Sequence, residues 1–290
     1  MFKGAFTAIV TPFKDGKIDF DSFEKLIEFQ IENKIDGLVP CGTTGESATL
    51  THEEHKKVIQ FVIKTVKKRV PVIAGSGSNS TAEAIELTKF AKESGADGAL
   101  VITPYYNKPP QEGLYQHFRK VAETVAIPIV VYNVPGRTGI NLLPSTLERL
   151  KDISNIVAVK EASGKVDQAE EILSLTEGKI DLLSGDDSLY LPMLAIGGTG
   201  IISVVSNIIP NDVAEVYKLY SEKKAEKAKE LFYKYYFLTN SMFYETNPIP
   251  VKTSLKLMGK ISGELRLPLC NLSKANEEKL TADLQKYELI

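Results

Sequence analysis

Cysteine and histidine are scarce in this sequence, and their scarcity excludes two kinds of site. Cys41 and Cys270 are the only cysteines among 290 residues, and there are just three histidines. Two cysteines are too few for a disulfide framework, and they do not form a Cys-x-x-Cys pair. The ligand spacing of a zinc site is also missing. We therefore expect no metal site, and a reducing, cytoplasmic setting.

A strong net charge and an unbroken membrane span are lacking as well. The formal net charge of −2 gives no field that would attract nucleic acid or an anionic membrane. The stretch between Asp187 and Asp212 is uncharged and long enough to suggest a membrane span. Pro192 and three nearby glycines, however, break it into a short helix and a strand. Neither nucleic acid nor a membrane is expected as a partner.

Short apolar runs recur along the chain. Eight of them are present, at residues 5–10, 37–41, 70–74, 99–103, 128–132, 156–160, 180–184 and 200–205. Most are almost continuously apolar rather than alternating. This pattern is typical of strands that are buried on both faces of a parallel sheet.

Helical patterns lie between these runs. Residues 20–33 place apolar side chains on one stripe, and capping boxes at Thr51 with Glu54, Ser80 with Glu83, and Ser145 with Glu148 indicate further helix starts. Eight strand-then-helix units predict an α/β fold, the TIM (β/α)8 barrel, which usually needs about 250 residues. We predict that residues 1–210 form the barrel with its catalytic site. Residues 211–290 are predicted to be a C-terminal helical extension packed on it.

Polar residues follow the predicted strands where a barrel places its chemistry, at the carboxyl ends. They occur at 42–46, 104–107, 132–139, 160 and 185–187. Pro40 is the one misfit, because a proline cannot donate to a closed strand ladder. It is tolerable only if the ladder already ends there.

Lys160 ends the sixth apolar run, where another aliphatic residue would be expected. Burying an ammonium is costly unless it is paired or deprotonated, and desolvation lowers the pKa of a lysine. A neutral amine is a nucleophile that can form a Schiff base with a ketone. Spacing alone also allows a lysine whose ammonium reaches solvent.

Several motifs together carry a resemblance to a known family. They are GTTGES at 42–47, TPYYN at 103–107, YNVPGRTG at 132–139, VKEASG at 159–164, GDD at 185–187, GIISV at 200–204 and NPIPVK at 247–252. In order and spacing the sequence resembles the dihydrodipicolinate synthase (4-hydroxy-tetrahydrodipicolinate synthase) family of pyruvate-dependent class I aldolases. The resemblance implies a lyase that condenses pyruvate with L-aspartate 4-semialdehyde on the diaminopimelate route to lysine. It implies no cofactor, because the lysine itself is the electron sink.

The resemblance also implies roles for single residues. Lys160 resembles the Schiff-base lysine and Tyr132 the general acid/base, with Thr43 and Tyr106 as its proton relay. Four further positions resemble substrate-binding residues: Thr44 and Ile202 for pyruvate, Arg137 for the semialdehyde carboxylate, and Gly185. In the family the relay tyrosine reaches in from an adjacent subunit. The resemblance therefore implies at least a homodimer, and a homotetramer built as a dimer of dimers.

Purely structural interpretations remain for several of these motifs. The pair Tyr105 and Tyr106 could pack over a loop, the glycines around Thr44 could only form a tight turn, and Arg137 could be a surface arginine. Residues 247–250 are interpreted as structural packing. At the level of function, an N-acetylneuraminate lyase or a 2-keto-3-deoxy sugar acid aldolase would keep the Schiff base, and a non-catalytic barrel would not. Arg137 favours the semialdehyde, since polyol substrates call for hydroxyl-bonding groups instead.

Feedback inhibition by L-lysine is a further implication of the resemblance. Seven residues match the allosteric lysine site of inhibited family members: Ser47, Ala48, His52, His55, Asn79, Glu83 and Tyr105. Glu83 offers a negative charge to an ammonium, and Asn79 and Tyr105 offer polar contacts to a carboxylate. The alternative is that Glu83 only caps a helix and the histidines are surface residues of a first turn.

Overall fold

Strands and helices alternate along most of the chain, and the computed structural model describes residues 1–290. The strands are β1 (Gly4–Ala8), β2 (Phe13–Lys14), β3 (Lys17–Ile18), β4 (Gly37–Val39), β5 (Ile73–Gly75), β6 (Gly98–Ile102), β7 (Ile129–Asn133), β8 (Ile156–Glu161), β9 (Asp181–Ser184) and β10 (Gly200–Ser203). The helices are α1 (Phe20–Glu32), α2 (His52–Val66), α3 (Thr81–Glu93), α4 (Gln111–Thr124), α5 (Pro135–Thr138), α6 (Pro144–Leu150), α7 (Val166–Thr176), α8 (Tyr190–Ala195), α9 (Pro210–Ser221), α10 (Ala225–Ser241), α11 (Ile249–Leu257) and α12 (Lys274–Lys286).

The chain divides into two compact units. The first unit contains Met1–Gly4 and Pro71–Ile202, and the second contains Ala5–Val70 and Ser203–Ile290. This division differs from the predicted boundary at residue 210, and that boundary stays a prediction.

The first unit is built on parallel strands that lie side by side in chain order, from β5 to β10. β-Branched residues dominate β7 and suit a buried, pleated sheet. One face of these strands packs on helices in a common core that includes Val101, Val131, Val159, Leu182, Leu114, Phe118, Leu147 and Ile172. Side chains of the opposite register, among them Tyr132 and Lys160, point away from this helical layer because strand side chains alternate.

The second unit contains the parallel pair of β1 and β4, in which Phe6 is the partner of Gly37. It also contains an antiparallel hairpin, β2 with β3, that the sequence analysis did not predict. Helices α1, α2 and α9 to α12 belong to this unit. The C-terminal helical extension is therefore present, with α10 against α9 and α11 against α12.

All eight predicted strands are present, and they are parallel and alternate with helices. The fold is therefore the predicted TIM (β/α)8 barrel with C-terminal helices. Pro40 does not disturb the ladder, because β4 ends at Val39. The uncharged stretch divides into α8 and β10 as expected, and no helix is long and apolar enough to cross a membrane.

The predicted helix starts have three different outcomes. The capping box of Thr51 and Glu54 is confirmed in both of its hydrogen bonds. Ser80 caps α3, but the Glu83 carboxylate accepts from the Ser78 hydroxyl rather than closing the box. The box predicted at Ser145 is wrong, because α6 already begins at Pro144, whose fixed φ suits the first helical position.

Candidate active site

Lys160 occupies the end of β8, between Tyr132 on β7 and Leu183 on β9 in the strand register. The residue is only 6% exposed, so the interpretation in which its ammonium reaches solvent does not hold. Its Nζ atom lies 4.2 Å from the centre of the Tyr132 ring. Burial thus removes most of the water that would solvate a charged amine.

The electrostatics of Lys160 follow from this placement. Burial lowers the pKa of Lys160 to about 7, the nearby Asp187 carboxylate opposes that shift, and the Arg137 guanidinium adds to it. A lysine with such a pKa is partly neutral at physiological pH, and a neutral amine is what attacks a carbonyl. The burial and the lowered pKa of Lys160 suit its predicted role as a nucleophile.

Gly185 lets the side chains of Lys160 and Ala162 pack closely against the backbone. A Cβ atom added at Gly185 would lie 3.1 Å from Cε of Lys160 and 2.7 Å from Cβ of Ala162. Both distances are too short for a comfortable contact, so only glycine fits without displacing the lysine side chain. Asp187, which the sequence analysis noted only within the motif GDD, is buried two residues later.

A buried polar network lies on the other face of the same strands, and sequence analysis missed it. Asn133 and Glu161 directly follow Tyr132 and Lys160 and are partners in the strand register. The Glu161 carboxylate accepts hydrogen bonds from Asn133 Nδ2 at 3.0 Å, Gln168 Nε2 at 3.3 Å and the Ser163 backbone N–H at 2.6 Å. The signal that could have revealed it is a charged residue continuing a buried strand.

The network extends through the amide side chains of Asn133, Asn141 and Gln168, in which each NH2 group donates to an oxygen. Asn141 Oδ1 accepts from Asn133 Nδ2 at 2.8 Å, and Asn141 Nδ2 donates to Gln168 Oε1 at 2.8 Å. The remaining Asn133 oxygen accepts from the Leu142 backbone N–H at 2.9 Å. These bonds fix the ends of β7 and β8, from which Tyr132 and Lys160 project.

The other predicted residues of the first unit lie at strand ends and in the following loops. Arg137 is exposed on the short helix α5, and Ile202 is buried on β10. Tyr105 is partly exposed, and Tyr106 is 89% exposed with a left-handed φ of 74°. Packing of Tyr106 over its own loop is therefore excluded. Asn107 holds that loop through a 2.9 Å hydrogen bond from Nδ2 to the Asn79 carbonyl.

Thr43 and Thr44 belong to the second unit and follow β4. Thr44 is buried, and its Oγ1 atom accepts a 2.9 Å hydrogen bond from Asn247 Nδ2. The interpretation of residues 247–250 as packing is thus incomplete, because one of them directly contacts a predicted site residue.

The predicted lysine-site residues fall into both units. In the second unit, Ser47 and Ala48 lie on a single 3-10 turn, His52 is exposed at the start of α2, and His55 is buried one turn later. In the first unit, Asn79, Glu83 and Tyr105 lie before α3, in its first turn, and after β6, respectively. Their role as a ligand site stays a prediction.

The chain is similar to known proteins over almost its whole length. The model of the dihydrodipicolinate synthetase family matches residues 1–287. The chain belongs to this family. It is 57% identical to the 4-hydroxy-tetrahydrodipicolinate synthases of Geobacter metallireducens and Geotalea uraniireducens, over 100% of each chain. A crystal structure of a dihydrodipicolinate synthase shares 54% identity and a TM-score of 0.97, again over 100% of both chains.

Membership of the dihydrodipicolinate synthetase family makes the chain an enzyme, a lyase of the class I aldolase type. Two solved structures of the family contain small molecules. The chloride-inhibited enzyme of Acinetobacter baumannii, complexed with pyruvate, is 47% identical over 100% of both chains, with a TM-score of 0.98. The enzyme of Cyanidioschyzon merolae with lysine bound is 41% identical over 100% of this chain and 99% of that one, with a TM-score of 0.96.

Proposed function

We propose that this enzyme condenses pyruvate with L-aspartate 4-semialdehyde to form 4-hydroxy-tetrahydrodipicolinate, on the diaminopimelate route to lysine. The observation that carries the proposal is the buried Lys160, whose pKa is lowered to about 7 beside the Tyr132 ring. The name shared by its close relatives and the pyruvate complex of the Acinetobacter baumannii enzyme support it. We place the reaction in the cytoplasm.

The chemistry starts at the Lys160 amine. Neutral Nζ attacks the ketone carbon of pyruvate, and loss of water gives an iminium. Loss of a methyl proton turns the iminium into an enamine, whose carbon attacks the aldehyde of the semialdehyde. The amino group of that substrate then attacks the former ketone carbon, which closes the ring and releases the lysine.

Proton transfer in these steps is assigned to Tyr132, with Thr43 and Tyr106 as its relay. An ordinary tyrosine has a pKa of about 10, so a phenol needs a hydrogen-bonded partner to exchange protons rapidly near pH 7. The 4.2 Å separation between Lys160 Nζ and the Tyr132 ring supports the choice of acid/base.

Substrate carboxylates are assigned to two groups of residues. Arg137 binds that of the semialdehyde, because a guanidinium fork suits bidentate carboxylate binding. Thr44 and Ile202 bind pyruvate, and Gly185 is assigned to substrate binding beside Lys160. The close packing of Gly185 against Cε of Lys160 supports that last assignment.

Inhibition by L-lysine is proposed through Ser47, Ala48, His52, His55, Asn79, Glu83 and Tyr105. Support comes from the Cyanidioschyzon merolae relative, which has lysine bound. Titrating L-lysine into the assay is the test. Unchanged activity at millimolar lysine, with no heat of binding in calorimetry, would refute this inhibitor site.

The proposed function is tested by a coupled assay with pyruvate and aspartate semialdehyde, followed by borohydride trapping. We expect turnover with this pair and, after borohydride and pyruvate, a reduced pyruvyl group on Lys160 in mass spectrometry. Lys160→Ala is the control and should take up no label. Label on a different lysine, or none, would refute the Schiff-base assignment.

A further inference from the structure

Two residues of the sequence motifs have no role in the proposed mechanism. Glu46 ends the segment 42–46, here called the threonine loop, and Lys252 ends the motif NPIPVK. Within the second unit they form an ion pair, with Lys252 Nζ 2.5 Å from Glu46 Oε1. Both side chains are completely buried.

The pair has further partners on both sides. Lys252 Nζ also donates to the Thr11 carbonyl at 3.0 Å and lies 4.3 Å from the centre of the Phe13 ring. The second Glu46 oxygen, Oε2, accepts from the Arg266 backbone N–H at 3.2 Å. Both charged groups therefore have several hydrogen-bond partners, and the ion pair is part of a buried polar cluster.

Stability alone does not explain a pair of this kind. Removing two charges from water offsets much of their attraction, and an apolar pair of similar volume often stabilises a protein equally well. What a buried pair does provide is a fixed geometry. Here it holds Glu46 in a left-handed conformation, with a φ of 54°, at the end of the threonine loop.

The two residues before Glu46 in the threonine loop are also held by buried hydrogen bonds. Thr44 Oγ1 accepts from Asn247 Nδ2 at 2.9 Å, and the Gly45 carbonyl accepts from Thr11 Oγ1 at 2.8 Å. A Cβ atom at Gly45 would lie 3.1 Å from the Cys41 backbone nitrogen, so the loop is also tightly packed. Three consecutive residues, 44 to 46, are therefore each fixed by buried contacts, two of them from the NPIPVK motif.

We propose that Glu46 and Lys252 are positioning residues that set the threonine loop for pyruvate binding. The inference rests on the proposed function, in which Thr44 binds the pyruvate carboxylate and Thr43 relays protons. Neither Glu46 nor Lys252 touches the substrate. They act through the loop, because a small displacement of a binding group strongly reduces the rate of an oriented reaction.

A double-mutant cycle separates positioning from stability. Glu46→Gln and Lys252→Met each leave one buried charge unpaired. Each single variant should therefore have a lower melting temperature than the unsubstituted enzyme. The double variant Glu46→Gln/Lys252→Met removes both charges and should regain most of that loss. We expect the KM of the double variant for pyruvate to be at least ten times that of the unsubstituted enzyme. The pyruvate concentration that gives half-maximal borohydride trapping at Lys160 should rise by the same factor. The KM of the double variant for the semialdehyde should change less than twofold.

Two other variants complete the design. Thr11→Val removes the hydroxyl bond to the Gly45 carbonyl without adding a buried charge, and should also raise the pyruvate KM. Glu28→Gln/Arg69→Met removes an exposed ion pair of the same unit and should leave it unchanged. A double variant at 46 and 252 with normal melting temperature and normal pyruvate KM would overturn the inference while the proposed function stands. An unsubstituted enzyme without turnover of the two substrates would refute the proposed function, and the inference with it.

Discussion

At the scale of single residues, burial decides the chemistry of the two lysines that lie inside the fold. Burial lowers the pKa of Lys160 to about 7, and the charge of the nearby Asp187 offsets only part of that shift. Lys252 is completely buried but bonded to Glu46, which opposes the lowering of its pKa by desolvation. One lysine is suited to act as a nucleophile, and the other is suited to hold a loop.

Arg137 allows a prediction at this scale. Arg137→Ala should impair use of the semialdehyde far more than binding of pyruvate. A hydrogen bond to a charged group is worth on the order of 1.5–3 kcal/mol, which corresponds to a loss of roughly ten- to a hundredfold in kcat/KM. Steady-state kinetics with each substrate varied in turn provides the measurement. Arg149→Ala, which removes an exposed arginine paired with Glu112, is the control. Equal losses for both substrates would contradict the assignment.

At the scale of elements, β7 and β8 are joined by more than their ladder. The network around Glu161 links the two strand ends to α7 through Gln168 and to the segment before α6 through Asn141. Because side chains alternate along a strand, the same two strands present Tyr132 and Lys160 on one face and this network on the other. The rigidity of the proposed site thus depends on residues that do not belong to it.

Glu161→Gln tests this connection. A carboxylate accepts all three of its hydrogen bonds, whereas an amide must place one NH2 group against donors. The substitution should cost on the order of 2 kcal/mol in the free energy of unfolding, as expected for unsatisfied buried groups, and should lower kcat. Urea unfolding and the coupled assay measure the two effects. Glu170→Gln on the exposed face of α7 is the matched control. Unchanged stability and kcat in Glu161→Gln would show that the network has no such role.

Helix α4 supplies a prediction on pH. His117 is buried, its Nδ1 lies 2.9 Å from Thr81 Oγ1, and desolvation lowers its pKa from 6.5 to about 4. Between these two values the unfolded chain binds a proton that the folded chain does not, so the free energy of unfolding falls as the pH falls. Over this window the loss is about 3 kcal/mol. Glu54, whose pKa is lowered from 4.5 to about 2, adds a separate loss that begins near pH 4.5 and continues at lower pH.

Chemical unfolding at pH 6.5 and at pH 4.5 measures this effect. We expect the difference between the two midpoints to shrink in His117→Gln, because the group that titrates is gone. The exposed His52 provides the control, since His52→Gln should keep the full difference. Identical pH dependence in the unsubstituted protein and His117→Gln would exclude His117 as the cause.

At the scale of the whole molecule, Tyr106 points to assembly. The side chain of Tyr106 is 89% exposed, so it buries little apolar surface against its own chain. The residue also has a left-handed φ. We predict at least a homodimer, and a homotetramer by the resemblance, with Tyr106 completing a neighbouring active site. Sedimentation at assay concentration should show the oligomer, and Tyr106→Phe should lower kcat without dissociating it. A fully active monomer would refute the prediction.

The fold class, the eight strands and the lysine near the end of β8 could all be predicted from the sequence. These properties depend on local patterns, since apolar runs, caps and motif spacing are readable along the chain. Which groups lose their water, and which charges meet, depends on the folded chain. The partnership of Glu46 with Lys252, 206 residues apart, and the network of Glu161 with Asn133 and Gln168 join distant segments. A local pattern can show that a charged residue continues a buried strand, but it does not show which residue that charge meets. The partner depends on how the backbone brings separate elements into contact.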